Sequence, residues 1–217
     1  MRRNTGQLVA GLLFAVFAAL CPNLHAQDSS DPHWLLQYRD IDQYHRDSAN
    51  RLKWDKRFDP FVNHYLPMKQ IFWEKGKAIG AVASDFLGVP GSIHIEAERN
   101  YSADGCVAHA CFEKGMLWVD MKTTPPIVAF SATDIRKGTK DNGYRLYLFI
   151  SREFGAEDLP AELRKSITRW TATPLGDGKE IETITQAVIV GPDGQEKIVE
   201  PKTLGVAEAA QEKSNKQ

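Results

Sequence analysis

Three side chains in a short run have the types and spacing to do chemistry: Cys106, His109 and Cys111, in the order Cys-Val-Ala-His-Ala-Cys. Two thiols this close either bond to each other or share a metal ion, and an imidazole between them can donate two hydrogen bonds from opposite edges of one flat ring. Zinc would need further ligands, usually a second pair of the same kind. The chain has three cysteines, and the third, Cys21, lies far upstream. The metal alternative is therefore the weaker one, and no metal or cofactor is expected. Which chemistry applies depends on the compartment.

The N-terminus speaks to that. Arg2 and Arg3 precede an uncharged apolar run, Leu8–Cys21, followed by Leu24-His25-Ala26 and Gln27. The run is shorter than the roughly 20 residues that span a bilayer, and it has the build of a secretory signal with a small residue before the cut. Residues 1–26 are read as a signal peptide, with the periplasm as destination. A lipoprotein anchor at Cys21 is disfavoured because Leu20 stands where a small residue belongs. Cleavage leaves Cys106 and Cys111 as the mature cysteines, and in an oxidising compartment they are expected to bond to each other. The ring would be small, so the bond would shape a loop more than stabilise the whole fold.

Composition excludes several classes. Lys+Arg is 27 against 28 Asp+Glu, a net charge of −1, so the chain lacks the basic footprint of a nucleic-acid binder. Apolar residues make up 42%, which suits a packed domain, and no apolar run follows the signal to hold the mature chain in a membrane. Motifs for metalloproteases, serine hydrolases, P-loops and dinucleotide binding are absent. His94-Ile95-Glu96 has the spacing of a deaminase fragment but lacks its cysteine pair. Asp40/Asp42 and Glu180/Glu182 fall in polar, solvated runs. Phe58, Phe61, Tyr65, Phe72 and Trp73 suit a core better than a sugar platform. No catalytic set emerges, and the protein is not expected to be an enzyme.

The elements that must hold the loop follow from periodicity and punctuation. Asp31-Pro32 opens a helical pattern through Trp34, Leu35, Tyr38, Ile41, Tyr44 and His45, which runs on towards Leu52 and Trp54 as an N-terminal arm packed on the core. Asp59-Pro60 starts a second helix, ended by Leu66-Pro67. Residues 71–87 are moderately helical, weakened by Gly76 and Gly80. After Gly88-Val89-Pro90-Gly91, strands are expected at 92–97, from Tyr101 into the Cys loop, at 116–121, at 126–131, and at 144–150 after the Asp141-Asn142-Gly143 turn. A helix begins at Leu159-Pro160. Gly191-Pro192-Asp193-Gly194 joins a hairpin over 182–199. Residues 202–217 read as a disordered tail. The expected fold is α+β: one domain over 27–201, an antiparallel sheet with helices packed on one side, and a protruding disulfide-closed loop.

With these residues in view, the loop resembles that of the Ivy family, periplasmic inhibitors of vertebrate lysozyme. The family loop reads Cys-Lys-Pro-His-Asp-Cys, and Cys106, His109 and Cys111 match it position for position. Gly115 to Met121 resembles the family's next strand, and Ile127 to Asp134 the one after, with a similar Phe-Ser-x-x-Asp. The likeness covers about the middle third of the chain. It departs at Val107, Ala108 and Ala110, which replace Lys, Pro and Asp, and it leaves the N-terminal arm and the 182–199 hairpin unaccounted for.

The resemblance implies an inhibitor that inserts residues 106–111 into the cleft of a c-type lysozyme or a lytic transglycosylase. His109 would bridge the two carboxyls with which such an enzyme works. An immunity protein against a wall-degrading toxin, or a non-inhibitory binding or scaffold module of the envelope, are the alternatives. No nucleic-acid partner and, after signal removal, no membrane contact is expected; a homodimer is left open.

Overall fold

Tyr-Arg-Leu-Tyr-Leu-Phe-Ile at residues 144–150 is too apolar for a strand with one wet face, and Met116-Leu117-Trp118-Val119 and Ala187-Val188-Ile189-Val190 share that character. Strands of this kind are covered on both sides. The computed structural model describes residues 30–39, 47–70, 72–135, 143–174, 181 and 183–206. It has a seven-stranded sheet in sequence order: β1 (Val89–Glu96), β2 (Asn100–Val107), β3 (Ala110–Asp120), β4 (Ile127–Ile135), β5 (Tyr144–Ile150), β6 (Ile184–Val190) and β7 (Glu196–Val199). Neighbours are antiparallel except β5 and β6, which run parallel.

Alternate residues of the sheet serve two separate cores. Leu117, Val119, Val128, Phe130 and Phe149 pack under α1 (Asp47–Trp54), α2 (Phe58–Tyr65) and α3 (Ile79–Phe86), against side chains such as Phe61, Val82 and Phe86. Trp118, Ala129, Leu148, Ile150 and Ile189 pack under α4 (Ala161–Thr171), against Leu163, Ile167 and Trp170. The expectation of helices on one side is thus corrected. A parallel β5–β6 pair needs a crossover rather than a tight turn, and that crossover carries α4 across the face opposite α1–α3.

The N-terminal arm begins with a 3-10 helix, Pro32–Tyr38, capped by Asp31, whose carboxylate accepts from the His33 N–H at 3.0 Å. Trp34 and Leu35 are buried, and the Trp34 ring meets Phe61 edge-on at 5.7 Å. The Tyr38 hydroxyl donates to Asp55 at 2.6 Å, and the Arg57 guanidinium donates to the same carboxylate at 2.6 Å. Arg57 holds the Asp55 carboxyl well below the usual carboxylate range. This clamp ties the arm to the start of α2.

The helical pattern expected over residues 71–87 yields only its second half. Gly76 takes a positive φ of 82°, which no helix interior accommodates. Phe72 instead stacks on Tyr147 at 4.5 Å, so packing overrides propensity there. At the other end the fold runs past the expected limit at residue 201. Pro201–Leu204 forms a 3-10 turn, and Leu204 and Val206 are buried. Lys202 to Val206 are therefore part of the domain, drawn in by two apolar side chains in a polar stretch. Residues 1–26, expected to be a signal peptide, Ile41, Tyr44 and His45, the turn expected at Asp141-Asn142, Glu180 and Glu182, and residues 207–217 lie outside the described residues.

Candidate functional site

The β2–β3 hairpin brings Cys106, His109 and Cys111 together at its tip. Below the tip the register is regular, from Asn100 opposite Asp120 to Cys106 opposite Lys114; it then jumps, so that Val107 faces Ala110. Cys111, Phe112 and Glu113 lie within that jump on the β3 side. A disulfide joins Cys106 to Cys111, with Cα atoms 4.8 Å apart. It spans the place where the backbone ladder is interrupted, where hydrogen bonds alone hold the strands least well. With both sulfurs in this bond, neither is a thiolate ligand. Among the described residues no three His, Cys, Asp or Glu side chains are gathered to hold a metal ion.

Ala108 and His109 make the turn and are exposed. His109 has a φ of 64°, in the left-handed region. Val107 differs from its neighbours: it packs against the core under α1–α3 and so anchors the loop. Ala110 and both cysteines are half-buried.

The base of the tip is pinned from both faces of the sheet. On one face the chain leaving α3 passes directly beneath it. A Cβ on Gly88 would lie 2.7 Å from the Asp85 carbonyl and 3.3 Å from the Ala108 nitrogen, and one on Gly105 would lie 2.7 Å from the Val89 carbonyl. These glycines permit the close approach. On the other face Lys114, buried, extends its Nζ to the carbonyl of Thr173 at 2.9 Å, just beyond the end of α4. A cation there complements the helix dipole. The Lys114 N–H donates to the Thr133 hydroxyl on β4 at 3.0 Å, one residue beyond the last paired position of β3 and β4, Gly115 opposite Ala132.

Two residues before Cys106, Asp104 accepts from the Ser92 N–H at 3.0 Å, beside the register shift of β1 between Pro90 and Ile93. Burial pushes its carboxyl above the usual range, against the pull of Ser92 and of nearby His94, Lys114 and Arg169.

Sequence reasoning missed the surroundings of the tip. Among the described residues, the exposed large apolar side chains are Trp54 (79% exposed), Phe112 (46%), Val89 (41%) and Ile198. The first three gather here. Phe112 lies in the loop's register jump, Val89 pairs with Cys106 across β1 and β2, and Trp54 lines a cleft together with Val107 and Ala108. One signal was available: Phe112 follows Cys111 directly, at a point where polar residues are the norm.

The other histidines are elsewhere. His33 bonds to Asp31 at 2.7 Å, His64 lies against Tyr65, and His94 sits on β1 opposite Ser102.

Compared with known proteins, the chain matches no family model, no curated protein and no solved structure.

Proposed function

We propose that this protein is an exported, periplasmic inhibitor of a peptidoglycan-cleaving muramidase, a c-type lysozyme or a lytic transglycosylase. It acts by binding, not by catalysis. The 106–111 tip enters the target's cleft as a protruding loop, and His109 bridges the two catalytic carboxyls as an imidazolium. The single observation that carries this reading is the exposed imidazole at the apex of a disulfide-closed turn, with Trp54, Val89 and Phe112 exposed around its base.

Each part has a physical role. A closed tip has less conformational entropy to lose on docking. Alanines at 108 and 110 keep the apex narrow. Large apolar side chains around a central polar contact match the composition of protein–protein hot spots, where aromatic anchors exclude water. The imidazolium donates from both nitrogens and carries the charge that two carboxylates need. The likeness to the Ivy loop supports the same reading. The losses of Lys, Pro and Asp mean that the apex is carried by His109 and the apolar rim.

The test is lysis of cell walls by a c-type lysozyme and by a lytic transglycosylase, followed by turbidity with and without the mature protein. Slower lysis with either enzyme is expected. Undiminished lysis with both at a large excess of protein would remove the reading in favour of an envelope binding module.

A further inference from the structure

Beside the Cys loop lies a cleft of about 430 Å³, between Lys53 and Trp54 at the end of α1, Trp73 and Glu74 ahead of α3, Asp85 on α3, and the loop's Ala108. That is the scale of a small-molecule site. Two features define what it would take.

The first is a pair of indoles. Trp54 is 79% exposed, so its ring presents a broad flat apolar surface to solvent. Trp73 is half-buried and fixed: its ring meets Phe86 edge-on at 4.9 Å, and its Nε1 donates to Asp85 at 3.3 Å. The second is that the charges cancel. Lys77 is ion-paired both to Asp85 and to Glu74, the latter at 3.4 Å. Lys53 donates to the Gly88 carbonyl at 2.6 Å and stands 5.1 Å from the centre of the Trp54 ring. A second cation over that indole would meet the charge of Lys53, and an anion would meet two carboxylates. The lining is therefore rich in hydrogen-bonding groups, carries flat aromatic faces and, with Lys77 behind it counted, has no net charge to offer an ion.

A neutral ligand with flat C–H faces and many hydroxyls satisfies all of these at once. We propose that the cleft binds a neutral saccharide, one ring lying on Trp54 and its hydroxyls donating to the carboxylates of Glu74 and Asp85. The proposal rests on the muramidase reading only for its probe: a glycan strand is the polymer next to which a muramidase inhibitor works, so the probe is the trimer of N-acetylglucosamine.

The experiment titrates the trimer into the mature protein and follows tryptophan fluorescence, with ligand-detected NMR as a second readout. Saturable binding near the millimolar range (about 1 mM) is expected, weakened about tenfold or more in Trp54→Ala and weakened in Glu74→Gln. Both side chains are largely exposed, so both variants should fold. Absence of saturable binding at about 10 mM, or binding equal to wild type in both variants, overturns the site. His109→Ala should bind the trimer like wild type. The two claims thus fail separately: loss of trimer binding with inhibition intact strikes the cleft, and loss of inhibition with trimer binding intact strikes the plug.

Discussion

The β6–β7 hairpin turns through Gly191-Pro192-Asp193-Gly194, whereas the β2–β3 hairpin turns through Ala108-His109. The first tip is built from local instructions. Gly194 supplies a φ of 79°, its N–H donates to the Gly191 carbonyl at 2.9 Å, and the Asp193 carboxylate accepts from the Gln195 N–H at 2.9 Å. The second tip needs a residue in the same backbone region and uses histidine, at a φ of 64°. A non-glycine residue there costs roughly 1–2 kcal/mol. The covalent Cys106–Cys111 link and the contacts beneath the loop hold that conformation instead. Where a turn only has to turn, glycine suffices. A side chain kept at a position that glycine would fill more easily points to a use for that side chain.

Breaking the covalent link should have the largest effect on this contrast. By loop-closure entropy a ring this small contributes about 2 kcal/mol, so reduction should lower the thermal midpoint without unfolding the domain. The two packed cores do not depend on it. Mass spectrometry of the protein isolated without reductant should find the two thiols bonded, and free thiols would remove the basis of the comparison.

Next comes the packing beneath the tips. Gly88→Ala forces a Cβ to within 2.7 Å of backbone, an overpacking cost of about 1–3 kcal/mol by thermal or denaturant unfolding. Gly191→Ala meets only the Asp193 carboxylate, at 3.1 Å, and that side chain can move, so the change should stay within about 0.5 kcal/mol. Equal costs at the two glycines would mean that the Cys loop is no better supported than an ordinary turn.

Exchanging the left-handed residues sharpens the contrast further. Gly194→Ala should destabilise by about 1 kcal/mol. His109→Gly should stabilise by about 0.5 kcal/mol, the relief of the left-handed cost less the extra chain entropy of glycine, while weakening inhibition. A variant gaining stability and losing function would mark position 109 as one held for its side chain.

How much of this was legible in the sequence depends on the kind of information needed. The cysteine pair, the Gly-Pro-Asp-Gly hairpin and most strands are local signals, and the residues state them directly. The second helical layer was also written, in the unbroken apolar runs of β3, β5 and β6, but the order of helices before strands suggested a single covered face. The parallel β5–β6 pair is a long-range fact, since nothing between residues 150 and 184 specifies which neighbour β6 will choose. Phe112 beside Cys111 carried one hint, but Trp54 and Val89 were illegible as part of a surface because spacing does not separate an apolar side chain that faces the core from one that faces solvent. Their convergence at one end of the sheet exists only in three dimensions.

The smallest expected effect concerns Asp104, at the base of the tip. Because burial raises its carboxyl in the folded state, the fold binds that proton more firmly than the unfolded chain does. Its contribution to stability is therefore greatest in acid and declines as pH rises from the ordinary carboxylate range through the raised value. The difference between wild type and Asp104→Asn across that window isolates the effect, since lowered carboxyls such as Asp55 and Asp120 act in the opposite direction in both proteins. A flat difference would mean that the carboxylate beside Ser92 is not strained by burial.

The central claim is that His109 is the plug, and the direct measurement is inhibition of a c-type lysozyme and of a lytic transglycosylase by wild type and by His109→Ala. One charge-assisted donor contributes roughly 1.5–3 kcal/mol, so the variant should lose about tenfold to a hundredfold in inhibitory affinity against whichever enzyme the wild type inhibits, with its thermal midpoint about unchanged. A variant as potent as wild type would contradict the account and move the binding surface away from the loop.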